Sequence, residues 1–290
     1  MKSGFVNIIG NPNVGKSTLM NAMLGERLSI ITSKAQTTRH RIFGIANGDD
    51  YQIVFSDTPG IIQPAYTLQE RMMDAVKAVF EDADLLVVVV EPNESEIKDE
   101  KFVDRINAHN APLLLVINKI DTIQQEQLEK VTEIWTERLP RAEIIPISAL
   151  KQFHTDYLLS RILNLLPEGM PFYDRDAITD RSERFFASEI IREKILLNYE
   201  KEVPYSVEVE IESFKAENHL LSIRALIHVA RDSQKGILIG HKGKAIQNLG
   251  TQARLDLEKF FQQKVFLDLY VKVNKNWREN DTQLRRFGYN

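Results

Sequence analysis

Residues 10–17 read G-N-P-N-V-G-K-S, directly after the apolar run F-V-N-I-I and at the start of a stretch with helical spacing. G-x-x-x-x-G-K-[ST] in that position limits the fold more than any other feature of the chain, because it needs a buried strand on one side and a helix on the other. Gly10 and Gly15 let successive backbone N–H groups turn inward around a phosphate, and the positive end of the helix adds to them. Lys16 supplies a compact charge between β- and γ-phosphates, and Ser17 is placed to ligate Mg²⁺. With Asn11, Pro12, Asn13, Val14 and Thr18, these residues are expected to line a phosphate site.

The required strands and helices continue to about residue 166. Apolar runs Y-Q-I-V-F-S, L-L-V-V-V-V, L-L-L-V-I and I-I-P-I alternate with stretches such as 68–81 and 125–139, where apolar residues recur three and four apart. Such alternation predicts an α/β domain over 1–170, a mostly parallel sheet with helices on both faces. Two prolines and a glycine in P-E-G-M-P-F-Y-D-R-D-A predict a linker at 171–180. Beyond it the order becomes helix (185–197), two alternating strands (205–214 and 219–229), a glycine-bearing helical turn, a helix to 261 and a strand (265–273). That α-β-β-α-α-β order predicts an α+β domain over 181–290.

D-T-P-G at 57–60 sits after a strand at the distance expected of a second phosphate motif. Asp57 is the carboxylate that reaches Mg²⁺ through water, and Gly60 can present its N–H to a γ-phosphate; Thr58 and Pro59 complete the turn. In Q-T-T-R, Thr38, with Thr37 as the alternative, is expected to close on Mg²⁺ when triphosphate binds. The next residue poses a problem: Ile61 stands where switch GTPases carry the glutamine that orients the attacking water. Either the chain does not hydrolyse nucleotide, or it does so without that side chain.

N-K-I-D at 118–121 follows a strand, where such sheets bind ligands. Asp121 can accept from both N1–H and the exocyclic amino group of guanine, donors that adenine lacks there, so adenine would leave the carboxylate unpaired. Lys119 can lay its stem across the base, Asn118 can tie this loop to the phosphate loop, and I-S-A at 147–149, with Ser148 and Ala149, offers backbone N–H groups to the base oxygen. The nucleotide read from these motifs is GTP.

In the second domain, I-L-I-G-H-K-G-K-A-I-Q places a G-x-x-G turn between helical stretches. Gly240 and Gly243 admit a nucleic-acid backbone, His241 and Lys242 form the tip, Lys244 opens the next helix, and Ile239 and Ile246 adjoin as an apolar floor. That is the arrangement of a KH module, which clamps about four single-stranded nucleotides. Charge agrees: residues 231–290 carry 12 Lys/Arg against 6 Asp/Glu, although the whole chain is at −4. There is no cysteine, so disulfide and thiolate chemistry are excluded. The longest apolar runs are too short to cross a bilayer and no signal peptide is visible, which reads as a cytosolic protein.

Taken in order, G-N-P-N-V-G-K-S-T, K-A-Q-T-T-R-H-R, D-T-P-G, N-K-I-D, S-A-L, I-T-D-R-S-E-R-F, P-Y-S-V-E-V-E-I, R-D-S-Q-K-G-I-L-I-G-H-K-G and W-R-E-N resemble the Era family of ribosome-assembly GTPases over essentially the whole length. The resemblance implies a Ras-like domain joined to a type II KH domain. It implies binding near the 3′ end of small-subunit rRNA during 30S maturation, by a monomer with loose association to the inner face of the cell membrane. It also implies GTP hydrolysis without the glutamine, a K⁺ ion held partly by Asn13 supplying charge beside the phosphates. Lys16, Thr38, Gly60 and Asn13 are then the expected catalytic set. Two other readings stay open on the residues alone: an RNA-binding protein with a structural, non-hydrolysing nucleotide site, and a GTPase whose terminal domain contacts protein or membrane.

Overall fold

The computed structural model describes residues 1–289 and divides into two compact units, 1–65 with 69–180 and 66–68 with 181–289. In the first, the elements are β1 (Lys2–Ile9), α1 (Lys16–Leu24), β2 (Ile42–Asn47), β3 (Tyr51–Asp57), α2 (Thr67–Lys77), α3 (Val79–Asp82), β4 (Leu85–Val90), α4 (Glu100–Ala108), β5 (Leu113–Ile117), α5 (Gln125–Arg138), β6 (Glu143–Pro146) and α6 (Thr155–Leu165). The sheet runs β2-β3-β1-β4-β5-β6, parallel except for β2. β4 and β5 are buried at every position, which explains their unbroken runs of Leu, Val and Ile: both faces are covered. Trp135 of α5 is fully buried as a packing residue, its indole N–H donating to the Glu94 carbonyl.

Two features depart from the sequence reading. β2 is a sixth strand, antiparallel to β3. Its sequence I-F-G-I-A-N is short and broken by Gly44, and its pairing with β3 supplies what local pattern lacks. Residues 171–180, expected as a linker, lie against the first unit. Gln52 Oε1 accepts from the amides of Phe172 and Tyr173, Ile45 N–H donates to the Ile178 carbonyl, and Thr179 Oγ1 donates to the Phe43 carbonyl. The segment covers the outer edge of β2, which would otherwise expose unpaired amides.

The second unit comprises α7 (Glu183–Asn198), β7 (Val207–Glu217), β8 (Leu220–Val229), α8 (Asp232–Ile239), α9 (Lys244–Phe261), β9 (Lys264–Val273) and α10 (Asp281–Arg286). β7 and β8 form an antiparallel hairpin and β9 adds parallel to β8. Alternate residues of β8, from Leu221 to Val229, are fully buried with Ile191, Ile195, Leu238, Leu249 and Ala253 of the helices, so one face of the sheet makes the core. Trp277 is also buried, its indole N–H donating to the Ser206 carbonyl.

Candidate functional site

The phosphate loop leaves the end of β1 and turns into α1 at Lys16. Lys16 is nearly inaccessible, and its ammonium donates to the carbonyls of Gly10 (3.0 Å) and Asn11 (2.7 Å). Burial pulls its pKa down to about 8, with the charges of Asp57 and Glu94 resisting. A polyphosphate beside it would restore the full charge.

Beside Lys16, three oxygens converge. Ser17 Oγ donates to Asp57 Oδ2 at 2.6 Å, and Thr38 Oγ1 lies 3.0 Å from Ser17 Oγ and 3.3 Å from the same carboxylate oxygen. Thr37 points elsewhere, its hydroxyl donating to the Lys34 carbonyl, so of the two threonines Thr38 reaches this cluster. Asp57 is fully buried, and its second oxygen, Oδ1, has no hydrogen-bond partner among the described residues. Burial raises its pKa above the carboxylate range, against the hydroxyls of Ser17, Ser29 and Thr38 and the Lys16 ammonium. Hard oxygen donors around an unsatisfied buried carboxylate fit Mg²⁺ in charge and ligand type.

Gly60 faces the phosphate loop so closely that a Cβ there would lie 2.6 Å from the backbone N and Cα of Pro12. No other residue type allows that approach. Thr58 is pinned beneath the turn by its hydroxyl, which donates to the Ile8 carbonyl at 2.8 Å. Ile61 is fully buried and donates its N–H to the Gly10 carbonyl, so its side chain packs in the core rather than over the phosphates. Gln63 Nε2 donates to the Lys98 carbonyl.

At the base end, Asn118 bridges the loops: Nδ2 donates to the Val14 carbonyl at 2.8 Å and Oδ1 accepts from Ala149 N–H at 2.9 Å. Asp121 Oδ1 accepts from Ser148 Oγ at 2.6 Å, which orients the carboxylate. The Lys119 ammonium spans the Asn13 carbonyl and Glu91 Oε2, stretching its stem between base loop and phosphate loop. A cavity of about 550 Å³ joins these parts, lined by Pro12, Asn13, Thr18, Gly60, Lys119, Asp121 and Leu150 among others. Its size suits a nucleotide.

Two expectations need correction. The Asn11 side chain faces away from the cavity: Nδ2 donates to Glu94 Oε1 and to the Glu96 carbonyl, and Oδ1 accepts from Lys98 N–H, so it positions the 94–98 loop. The amides of Ile147, Ser148 and Ala149 are occupied by Ile117 O, Phe153 O and Asn118 Oδ1. The strand register and the turn closing on Phe153 consume them. Sequence reasoning missed Glu91, Glu94, Leu150 and the wall Ile30–Ser33, since E-P-N-E-S-E reads as a solvated acidic loop and S-I-I-T-S carries no motif.

In the second unit a single turn, His241–Gly243, separates α8 from α9. Gly240 has φ +70° and a Cβ there would lie 2.5 Å from Ala245 Cβ. His241, Lys242 and Lys244 are exposed, Ile239, Gly243 and Ile246 half-buried, and Leu238 anchors the end of α8 in the core. Tyr199 Oη donates to the Leu238 carbonyl and holds that end in place. Lys242 at the tip and Lys244 just after it, beside apolar side chains, have the chemistry that binding a single-stranded nucleic acid calls for. Among the described residues no cluster of His, Asp or Glu could hold a separate metal ion, and no helix is long and apolar enough to cross a membrane.

Residues 5–119 match the family described as 50S ribosome-binding GTPase, and residues 202–278 match the KH domain. GTPase Era of Syntrophus aciditrophicus is 46% identical over 292 residues, covering 100% of this chain and 95% of that protein. GTPase Era of Clostridium kluyveri is 43% identical, covering 100% and 99%. Among solved structures, a point variant of Aquifex aeolicus Era bound to GDP·AlF4⁻ superposes with a TM-score of 0.95 at 39% identity, covering 100% of this chain and 99% of that one. Era in complex with MgGDPNP and nucleotides 1506–1542 of 16S ribosomal RNA does so with a TM-score of 0.95 at 40% identity, with the same coverage.

Proposed function

This chain belongs to the Era family of GTPases, and on that premise we propose that it is a GTP-hydrolysing switch that binds near the 3′ end of small-subunit rRNA and assists maturation of the 30S subunit. The observation that carries the reading is the likeness, over the full chain, to an Era solved with MgGDPNP and 16S rRNA nucleotides 1506–1542. The Lys16 loop and the G-x-x-G turn are the two sites such a switch requires. We place the protein in the cytoplasm, the compartment of the ribosomal RNA it is proposed to bind.

In this reading Lys16 and the loop amides bind the β- and γ-phosphates, while Ser17, Thr38 and, through water, Asp57 hold Mg²⁺. Bound Mg²⁺ neutralises charge on the phosphate oxygens. Gly60 N–H senses the γ-phosphate, and Asp121 selects guanine. With Ile61 in the core, backbone groups of the two switch loops must place the water. Asn13 Nδ2 donates to the Ser33 carbonyl, which turns its amide oxygen into the atom offered to K⁺. Bound K⁺ would supply positive charge beside the phosphates. Turnover is expected to be at least about tenfold faster in K⁺ than in Na⁺, with Asn13→Ala abolishing the difference. Equal rates in the two salts would remove the cation from the mechanism.

The terminal unit is tested separately. His241→Asp with Lys242→Asp reverses the charge of the exposed tip and should weaken binding of an rRNA 3′-end oligonucleotide by at least about tenfold, with a shallower salt dependence. Guanine-nucleotide affinity measured alongside checks that the chain is folded. Unchanged RNA binding would favour a protein or membrane partner for this unit.

A further inference from the structure

Alternate residues of β8 and β9, among them Leu221, Ala225 and Val265, lie in the core of the second unit with its helices. The residues between them therefore face the other side of the sheet, and on β9 that row is Lys264, Phe266, Asp268, Tyr270 and Lys272. Toward β7 this face is closed by residues 286–289. Arg286 Nη2 donates to Glu210 Oε1 at 2.6 Å, Tyr289 Oη donates to Glu208 Oε2 at 2.8 Å, and the Phe287 ring lies 5.0 Å from that of His228. Those contacts satisfy two acids of β7. Along β9 the face stays open: Phe266 is 58% exposed and Tyr270 50%, with Lys264 and Lys272 exposed on either side of them. Arg224 of β8 completes the row, its guanidinium 5.7 Å from the centre of the Tyr270 ring and held by Asp268 at 3.4 Å and Glu212 at 3.9 Å. On β8 and β9 the charges of this face are thus Lys264, Lys272 and Arg224 against Asp268.

Resting on the RNA reading above, we propose that this open half of the sheet is a second track for single-stranded RNA, apart from the G-x-x-G turn. Phe266 and Tyr270 each stack a base, Arg224 stacks beside Tyr270, and Lys264 and Lys272 meet the flanking phosphates. Four residues of parallel strand set the two rings about 13 Å apart, far enough for each to take its own base. Every base has a π-face, so such a track holds RNA with little regard to sequence. Rings alone would suit a protein partner equally. Cations set in the same row favour a polyanion, and lysine is depleted at the centre of protein interfaces.

The test uses the full-length protein and two single-stranded rRNA 3′-end oligonucleotides, one of about six nucleotides, little more than a KH clamp takes, and one of about 16. Phe266→Ala with Tyr270→Ala should weaken binding of the longer RNA by about tenfold or more and leave the shorter one unaffected. The salt dependence of the remaining binding should not change, because stacking releases no counterions. Lys264→Ala with Lys272→Ala should instead make it shallower, by about 0.7 per lysine in the slope of log affinity against log salt. Phe266→Tyr with Tyr270→Phe keeps both rings and should bind like the unmodified protein, and guanine-nucleotide affinity checks that each variant is folded. Equal weakening of both RNAs on loss of the rings overturns the inference alone. So does full binding of the longer RNA without them, which together with lost binding to small-subunit proteins would give the face to a protein partner. Failure of the unmodified protein to bind either RNA overturns it together with the RNA reading.

Discussion

Asp121→Asn is expected to lower affinity for GTP by about 10²–10³-fold and to make xanthosine triphosphate the preferred nucleotide. The carboxylate accepts two hydrogen bonds from guanine, both strengthened by its charge. Asparagine keeps one acceptor, and its amide nitrogen meets a donor on guanine with a donor of its own. Xanthine carries an oxygen in place of the amino group and restores the match. The surroundings favour a clean exchange: Ser148 Oγ donates to Asp121 Oδ1 and can donate equally to an amide oxygen. Asp121 is exposed, so the fold should tolerate the change. Competition between GTP and xanthosine triphosphate for the purified variant reads the result, and an undiminished preference for GTP would refute base selection by this residue.

Lys16→Met should reduce GTP turnover by about 10³-fold while leaving the nucleotide-free protein no less stable. Methionine keeps most of the stem and removes the charge. The native pKa of about 8 lies below the 10.5 of an unfolded chain. Between those values the unfolded chain binds more protons, so native stability rises with pH across that window. Below pH 8 the burden of the buried ammonium is constant at about 3 kcal/mol. Thermal unfolding without nucleotide should therefore favour Lys16→Met at pH 7, by a margin that narrows as pH approaches 10. A variant much less stable at pH 7 would mean that the bonds from Lys16 to the Gly10 and Asn11 carbonyls outweigh its desolvation.

How legible the site was depended on whether its parts are contiguous. G-N-P-N-V-G-K-S, D-T-P-G and N-K-I-D each encode their chemistry in a few adjacent residues, since loop amides and one or two side chains act together. Thr38 could be separated from Thr37 only with Asp57 and Ser17 in place. Asn11 belongs to the phosphate-loop motif yet serves the 94–98 loop, 83 or more residues away in sequence. Glu91, which holds Lys119, had no signal at all because an acid after a strand is ordinary.

From the residues alone came the α/β-then-α+β order, the guanine motifs and the G-x-x-G turn, because hydrophobic periodicity and loop glycines act over a few neighbours in the chain. Only the tertiary structure decided that β2 runs antiparallel at the edge, that 171–180 is bound along it, that Ile61 turns into the core, and that the Asn11 side chain serves the 94–98 loop. Each of these rests on partners distant in sequence, chosen by which buried polar groups remained to be satisfied once the sheet had formed.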